Sequence, residues 1–400
     1  MSLDISIISS FAPKGVLTSD HFQQVKEAVQ QSRGGITIGL DAYMFMEADA
    51  AHLDSGNPNR HSAFQFLSKK SSDSAPDIAK QLLSKSGSSP LVALTSFLPE
   101  ISQYANDTDE SSIVDAISGL LEIAVHIGAA SGNTPVIQMV AGNMLKRIEP
   151  EQETNDKKTK ELEDAKNSNG ESELHRSRFF IVAADENDSY RVILNRLALS
   201  LDRLAEKFNN QEKELATVHS LRIAFEMEPG PLYLLDGPRS LLRFCHLIES
   251  HTSPLVRKCV GFNLDIAHWW LKNITPDFLD QPYQFLDRRS PNNEPSVTAF
   301  GHAAPNLKNR IFHSHISGHS RRAHFGDISL TRMVEEDKQL YCQWLTKLIE
   351  LVQQDGSRFS SYVSLEYEAA RNLQCVIESA DELVNLLAQA QDKYASSRPN

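Results

Sequence analysis

The stretch HSHISGHSRRAHFGD, residues 313–327, places four histidines and two adjacent arginines in fifteen positions. Imidazole can bind a cation or carry a proton near neutral pH, and guanidinium can hold anions or paired oxygens. By residue type alone the stretch fits a solvated loop, a cation site or an anion site. Three other segments set acid against apolar neighbours: IAFEMEPG (223–230), GFNLDIAH (261–268) and VSLEYE (363–368). In them Glu226, Glu228, Asp265, Glu366 and Glu368 stand at about the end of an apolar run. Burying a carboxylate there is costly unless it is paired or bound to a cation.

Eight apolar or β-branched runs recur along the chain, at 5–11, 36–43, 91–98, 135–142, 221–228, 260–267, 310–317 and 362–368. Helical periodicity separates them, most clearly over 112–130, 190–208 and 339–354, where Leu340, Trp344, Leu348 and Leu351 share a face. Continuous apolar strands alternating with helices imply a parallel sheet covered on its outside. Eight such units predict a (β/α)8 TIM barrel spanning 1–395. A doubly wound open sheet is the alternative, but no GxGxxG follows the first run. In a parallel barrel the functional side chains sit at the C-terminal ends of the strands. The last four strands would then bring a Glu, Asp265, a His and a Glu to one point. Three oxygens and one nitrogen suit one divalent ion with open positions: manganese, magnesium, cobalt or zinc. The other reading is four surface groups at frayed strand ends. Within each doublet, Glu226 and Glu228, or Glu366 and Glu368, the two carboxylates share a face of the strand, so spacing does not choose between them.

Composition sets the outer limits. The chain has 400 residues, 40% of them hydrophobic, 8% aromatic and 23% charged, which is ample for a large core. A net charge of −12 argues against a general nucleic-acid partner, since phosphate binding needs a basic face. Cys245, Cys259, Cys342 and Cys375 form no CxxC pair, so neither a disulfide framework nor a structural zinc site is expected. No apolar run approaches the roughly 18 residues of a membrane span. The start, MSLDISIISSF, lacks the basic and apolar regions of a signal peptide, so a cytoplasmic location is the expectation. Self-association into a homo-oligomer stays open.

IAFEMEPG, GFNLDIAH, FHSHISGHSRR (312–322) and VSLEYE, in that order, resemble the xylose isomerase-like sugar isomerase and epimerase family. The likeness covers about 215–370 and is only architectural before that. It implies a TIM barrel holding one divalent metal through Glu226, Asp265, His315 and Glu366. FEMEPG is similar to the family's LENxPG pattern, which favours Glu226 over Glu228, and a preceding apolar strand residue, Leu365, favours Glu366 over Glu368. The resemblance also implies substrate-binding roles for His268 and Arg321, with Arg322 a further contact, and Glu228, if it is not the metal ligand, is expected to bind substrate beside them. His313 shares a face with His315 and fits a packing or supporting role. His319 and His324 read as loop residues at the surface or behind the ligands, although His324 begins a turn similar to the family's H-x-G-x-G.

The chemistry implied is proton transfer next to a carbonyl of a sugar- or polyol-like substrate, with Glu226 and Glu366 as acid and base. A cyclic-polyol dehydratase or lyase and a non-catalytic metal-binding barrel are the alternatives. The AP endonuclease branch needs histidines on early strands that LVALTSFL and PVIQMVAG lack, and an Asp-x-His that Arg322 and His324 do not supply. The segment 41–64 reads as a long irregular loop in which Asp41 and His61 are weak candidates for substrate contact.

The run EPEQETNDKKTKELEDAKNSNGESELHR, 149–176, is too polar to bury enough surface to offset its ordering entropy, and is expected to be an insertion in the barrel. Replacing 149–176 with a short Gly/Ser link should leave the thermal unfolding midpoint nearly unchanged; a large drop would show that the segment packs against the fold.

Overall fold

The apolar runs become strands buried on both faces. The computed structural model of the chain describes residues 3–10, 19–33, 36–43, 74–96, 101–102, 110–142, 186–229, 233–284, 306–320, 323–366 and 373–397. The segment 149–176 lies outside them. Eight strands form the barrel: β1 (Asp4–Ser10), β2 (Ile38–Tyr43), β3 (Leu91–Ser96), β4 (Val136–Val140), β5 (Arg222–Glu226), β6 (Val260–Asp265), β7 (Ile311–Ile316) and β10 (Tyr362–Leu365). Each pairs in parallel with its neighbours, and β10 returns to β1 to close the ring. This is a (β/α)8 TIM barrel. Strands end earlier than the apolar runs that mark them: the run 221–228 stops being strand at Glu226, so Glu228 lies past the end.

A small antiparallel ribbon, β8 (Gly318–Ser320) and β9 (Ala323–Ile328), is set apart from the barrel. It occupies the histidine-rich stretch, which the sequence suggests is loop.

Helices cover the outside. Glu110–Ser131 packs between Ala75–Ser86 and Glu186–Lys207, and Leu373–Ser397 between Ser19–Arg33 and Glu335–Gln353. Glu110–Ser131 is long and apolar enough to cross a membrane by length and composition, contrary to expectation from the sequence, but its apolar residues are largely buried in this shell. Trp269, just after β6, meets Trp344 edge-on at 5.4 Å and Phe278 at 5.8 Å between ring centres, tying that turn to the outer core. No disulfide joins any of the four cysteines.

Strand alternation divides the residues between two environments. One set, including Ile5, Ile7, Ile223, Phe225, Phe262 and Leu264, joins the core under the helices. Ser6, Asp41, Thr95, Gln138, Asn263, His313 and Ser364 are also buried, yet polar. A separate small apolar cluster of Val92, Ala93, Val136, Ala224 and Phe312, with Tyr362 against it, accompanies them. Gly39 sits two residues before Asp41, and a Cβ there would lie 2.8 Å from Val92 Cγ1 and 3.2 Å from Ser6 Cβ. Gly39→Ala should therefore cost about 1–3 kcal/mol in urea unfolding, as overpacking does. An unchanged midpoint would show that the wall can yield there.

Candidate metal centre

Parallel strands put their C-terminal ends on one rim, and register decides which side chains meet there. Asp265 on β6 is paired with His315 on β7, and Glu226 on β5 with Asn263 on β6. Glu366 is the first residue after β10, and its backbone N–H donates to Ile316 O at 2.9 Å, which carries the ladder one step past the strand. Glu226, Asp265, His315 and Glu366 thereby each offer a ligand atom, all within 4.8 Å of one another. Glu228 belongs to a second grouping with Glu226 and His268.

The sequence GFNLDIAH explains the local geometry. Asp265 ends the strand and caps the short helix Ile266–Leu271, its Oδ1 accepting from the His268 backbone N–H at 2.9 Å. Its other oxygen, Oδ2, is buried without a hydrogen-bond partner among the described residues. The cap also sets the His268 ring, whose Nδ1 lies 3.1 Å from Met227 O and 3.1 Å from Glu226 Oε1. Glu228 Oε2 is 3.9 Å from the same nitrogen.

Glu226 is the best-supported carboxylate. Its Oε2 accepts from Gln138 Nε2 at 2.5 Å and Asn263 Nδ2 at 2.7 Å. Burial alone would raise its pKa, but His268 and His315 outweigh burial and hold it well below the usual carboxylate range. Glu366 goes the other way. Burial, reinforced by the charges of Glu226 and Asp265, pushes it well above the usual range despite the opposing pull of His315. His315 and His268 both stand well above an ordinary imidazole; burial opposes this, and the surrounding carboxylates outweigh it.

Among the described residues no lysine or arginine pairs with Glu226, Asp265 or Glu366. Two like charges about 5 Å apart repel by roughly 3 kcal/mol at an effective dielectric near 20. Three carboxylates in that space therefore need protons or a cation. His315 Nδ1, buried and without a hydrogen-bond partner, and Asp265 Oδ2 are two idle donor atoms in the same cluster. Hard oxygens with one imidazole nitrogen fit a divalent ion, and these side chains are the ones that would hold it.

Behind the rim is a second polar layer. Asp41, on β2 and fully buried, accepts from Thr95 Oγ1 at 2.7 Å and Ser364 Oγ at 2.8 Å, and its Oδ2 lies 3.2 Å from His315 Nε2 and 3.4 Å from His313 Nε2. Burial would raise the Asp41 carboxyl, but the two histidines hold it far below its usual range. Burial lowers His313 instead, against the pull of Asp41.

Several expectations change. Asp41 is neither loop nor substrate contact, because β2 runs through it and turns it into the wall. His319 is buried, with its ring 4.5 Å from that of Trp270, so it is not a surface residue. His313 has the supporting place its spacing suggests. His324 falls on β9, in ribbon and not loop. His61, Arg321, Arg322 and Glu368 lie outside the described residues. Gln138, Asn263, Thr95 and Ser364 went unnoticed in the sequence. For two of them a signal was available: Asn263 and Ser364 are polar residues inside apolar strands, two positions before Asp265 and Glu366, whereas the strands of Thr95 and Gln138 carry no acid or histidine to mark them.

No family model matches the chain, and no curated protein matches it. Among solved structures it is similar to the apo form of 3-keto-D-glucoside 4-epimerase from E. coli, with 11% identity over 96% of this chain and 100% of that one, at a TM-score of 0.47.

A divalent ion that binds only the folded chain must stabilise it, by about 2.7 kcal/mol at a hundredfold excess over Kd. Manganese should raise the unfolding midpoint of chelator-treated protein, with one ion per chain by elemental analysis. Asp265→Ala and His315→Ala should lose both effects. Unchanged metal content in both variants would remove these residues from the centre.

Proposed function

We propose that the chain is a divalent-metal-dependent isomerase or epimerase that moves a proton next to a carbonyl of a sugar- or polyol-like substrate. The observation that carries this reading is the convergence of Glu226, Asp265, His315 and Glu366 at the strand ends, each with a ligand atom within 4.8 Å of the others. Two of these carboxylates are also driven in opposite directions. Glu226 is held ionised while Glu366 is pushed toward its protonated form. Pairs of groups driven apart in this way divide acid and base roles. A bound divalent ion would supply Lewis acidity, which makes the hydrogen beside a carbonyl easier to remove.

The side chains divide the remaining tasks. Glu226, fixed by Gln138 and Asn263, is the oriented base. Glu366, with its side chain 16% exposed where Glu226 is 3%, sits nearer the open side and can hold and return the proton. His268 and Glu228, both 22% exposed, are in place to meet substrate hydroxyls. Arg321, just after β8, is assigned the clamp on substrate oxygens, since a guanidinium binds paired oxygens and does not ligate a metal. The four ordered motifs that resemble the sugar isomerase and epimerase family support the same assignment.

The test is a screen of keto- and aldo-sugars and cyclic polyols with manganese in deuterated water. Turnover should place solvent deuterium on the carbon next to the carbonyl. Glu226→Gln should abolish that exchange, because an amide cannot accept the proton, and Glu366→Gln should stop turnover by removing the group that returns it. Arg321→Ala should weaken substrate binding with metal content intact. Water loss from a cyclic polyol would point to a dehydratase. Turnover without exchange, or cleavage of abasic DNA with every polyol ignored, would overturn the proposal.

A further inference from the structure

We propose that Asp41 is a positioning residue for the metal centre: it takes the Nε2 proton of His315 in a hydrogen bond and so turns the Nδ1 lone pair toward Glu226, Asp265 and Glu366. The inference rests on the centre described above and deepens it.

The two nitrogens of His315 face different partners. Nδ1 is 3.3 Å from Glu226 Oε2 and 3.2 Å from Glu366 Oε2, is buried, and has no hydrogen-bond partner. Nε2 lies 3.2 Å from Asp41 Oδ2. An ionised carboxylate only accepts, so the hydrogen in that contact belongs to the histidine. When a cation takes the place of the Nδ1 proton the ring keeps one N–H, and with it on Nε2 the other nitrogen presents its lone pair. A metal-binding histidine needs this arrangement, and a carboxylate on its far nitrogen fixes both tautomer and ring angle.

The wall around Asp41 is built to keep it an acceptor. Thr95 from β3 donates to Oδ1, and Ser364 from β10 donates to Oδ2. Ser364 Oγ also lies 2.7 Å from Ser6 Oγ and 2.8 Å from His313 Nε2. One hydroxyl hydrogen and two lone pairs satisfy all three contacts if Ser6 and His313 donate and Ser364 passes its hydrogen to Asp41. His313 Nδ1 can then accept from Ser360 Oγ at 2.8 Å. Every hydrogen in the layer has a consistent place when Ser360 gives its one hydrogen to His313 at 2.8 Å and not to Tyr362 O at 3.2 Å. Asp41, His313 and His315 also offer atoms within 4.8 Å of one another, so the rival is a second ion in this deeper layer. Hydroxyl donors already on both Asp41 oxygens weigh against that ion.

The experiment compares the full-length Asp41→Asn and His315→Gln variants with wild type by manganese competition against a chelator. Asp41→Asn keeps the shape but weakens the acceptor, so manganese affinity should fall about 10- to 100-fold. The chelator-treated variant should unfold at nearly the wild-type temperature, which separates positioning from a merely structural role. His315→Gln should bind far more weakly still. If His315→Gln binds like wild type, the centre itself is misread. If it loses manganese while Asp41→Asn keeps wild-type affinity, the Asp41 inference alone fails. Two ions per chain, falling to one in Asp41→Asn, would establish the rival. Should Asp41→Asn not fold, 15N NMR of histidine-labelled, zinc-loaded wild-type protein decides. The His315 signals, identified by their loss in His315→Gln, should show the hydrogen on Nε2, and a hydrogen on Nδ1 would overturn the proposal.

Discussion

Three carboxylates converge on one buried space, and most of the polar architecture of the barrel follows from their mutual repulsion. Each is accommodated differently. Glu226 accepts from donors on β4 and β6; Asp265 lends one oxygen to a helix cap; Glu366 keeps its proton more readily than an ordinary carboxylate. The donors that serve Glu226 must themselves be buried, which is why Gln138 and Asn263 interrupt strands that are otherwise apolar. A site of this charge is stable when something positive enters it, and the donor set decides what that is.

The same arrangement separates stability from chemistry. Apolar packing lies mainly between the strands and the helices, in a core that runs from β1 to the last helix. The other strand face carries only a small apolar cluster and leaves room for serines, amides, histidines and acids. A parallel barrel allows this because its wall presents alternate residues to two environments. Substitutions in the helical shell therefore act on folding, while those on the inner face act first on charge and hydrogen bonding.

The fold was legible in the sequence because eight apolar runs with helical spacers have few other solutions, and parallel closure is the one that buries both faces of each strand. The four rim residues were legible because acids and a histidine inside apolar runs are conspicuous. The doublets were not resolved by spacing alone. What separates Glu226 from Glu228 is that β5 stops at Glu226, and strand ends depend on tertiary pairing. Asp41 was misjudged for a related reason. It falls both in the apolar run 36–43 and in the irregular segment 41–64, and only closure of β2 against β3 carries it into the wall beside His315. The ribbon of β8 and β9 was missed because SGHSRRAHFGD has the composition of a loop, and its pairing is a property of the folded chain.

Asp265 joins two systems that would otherwise be independent. One oxygen fixes the first turn of a helix whose next side chains include Trp269, and Trp269 is wedged against Trp344 and Phe278 beneath the outer helices. The rim thus has a strut that crosses the wall. Rigidity at the rim is drawn from aromatic packing on the far side of the strand, so a change of volume at position 344 would be felt at Asp265 and His268, which sit at the two ends of the same cap.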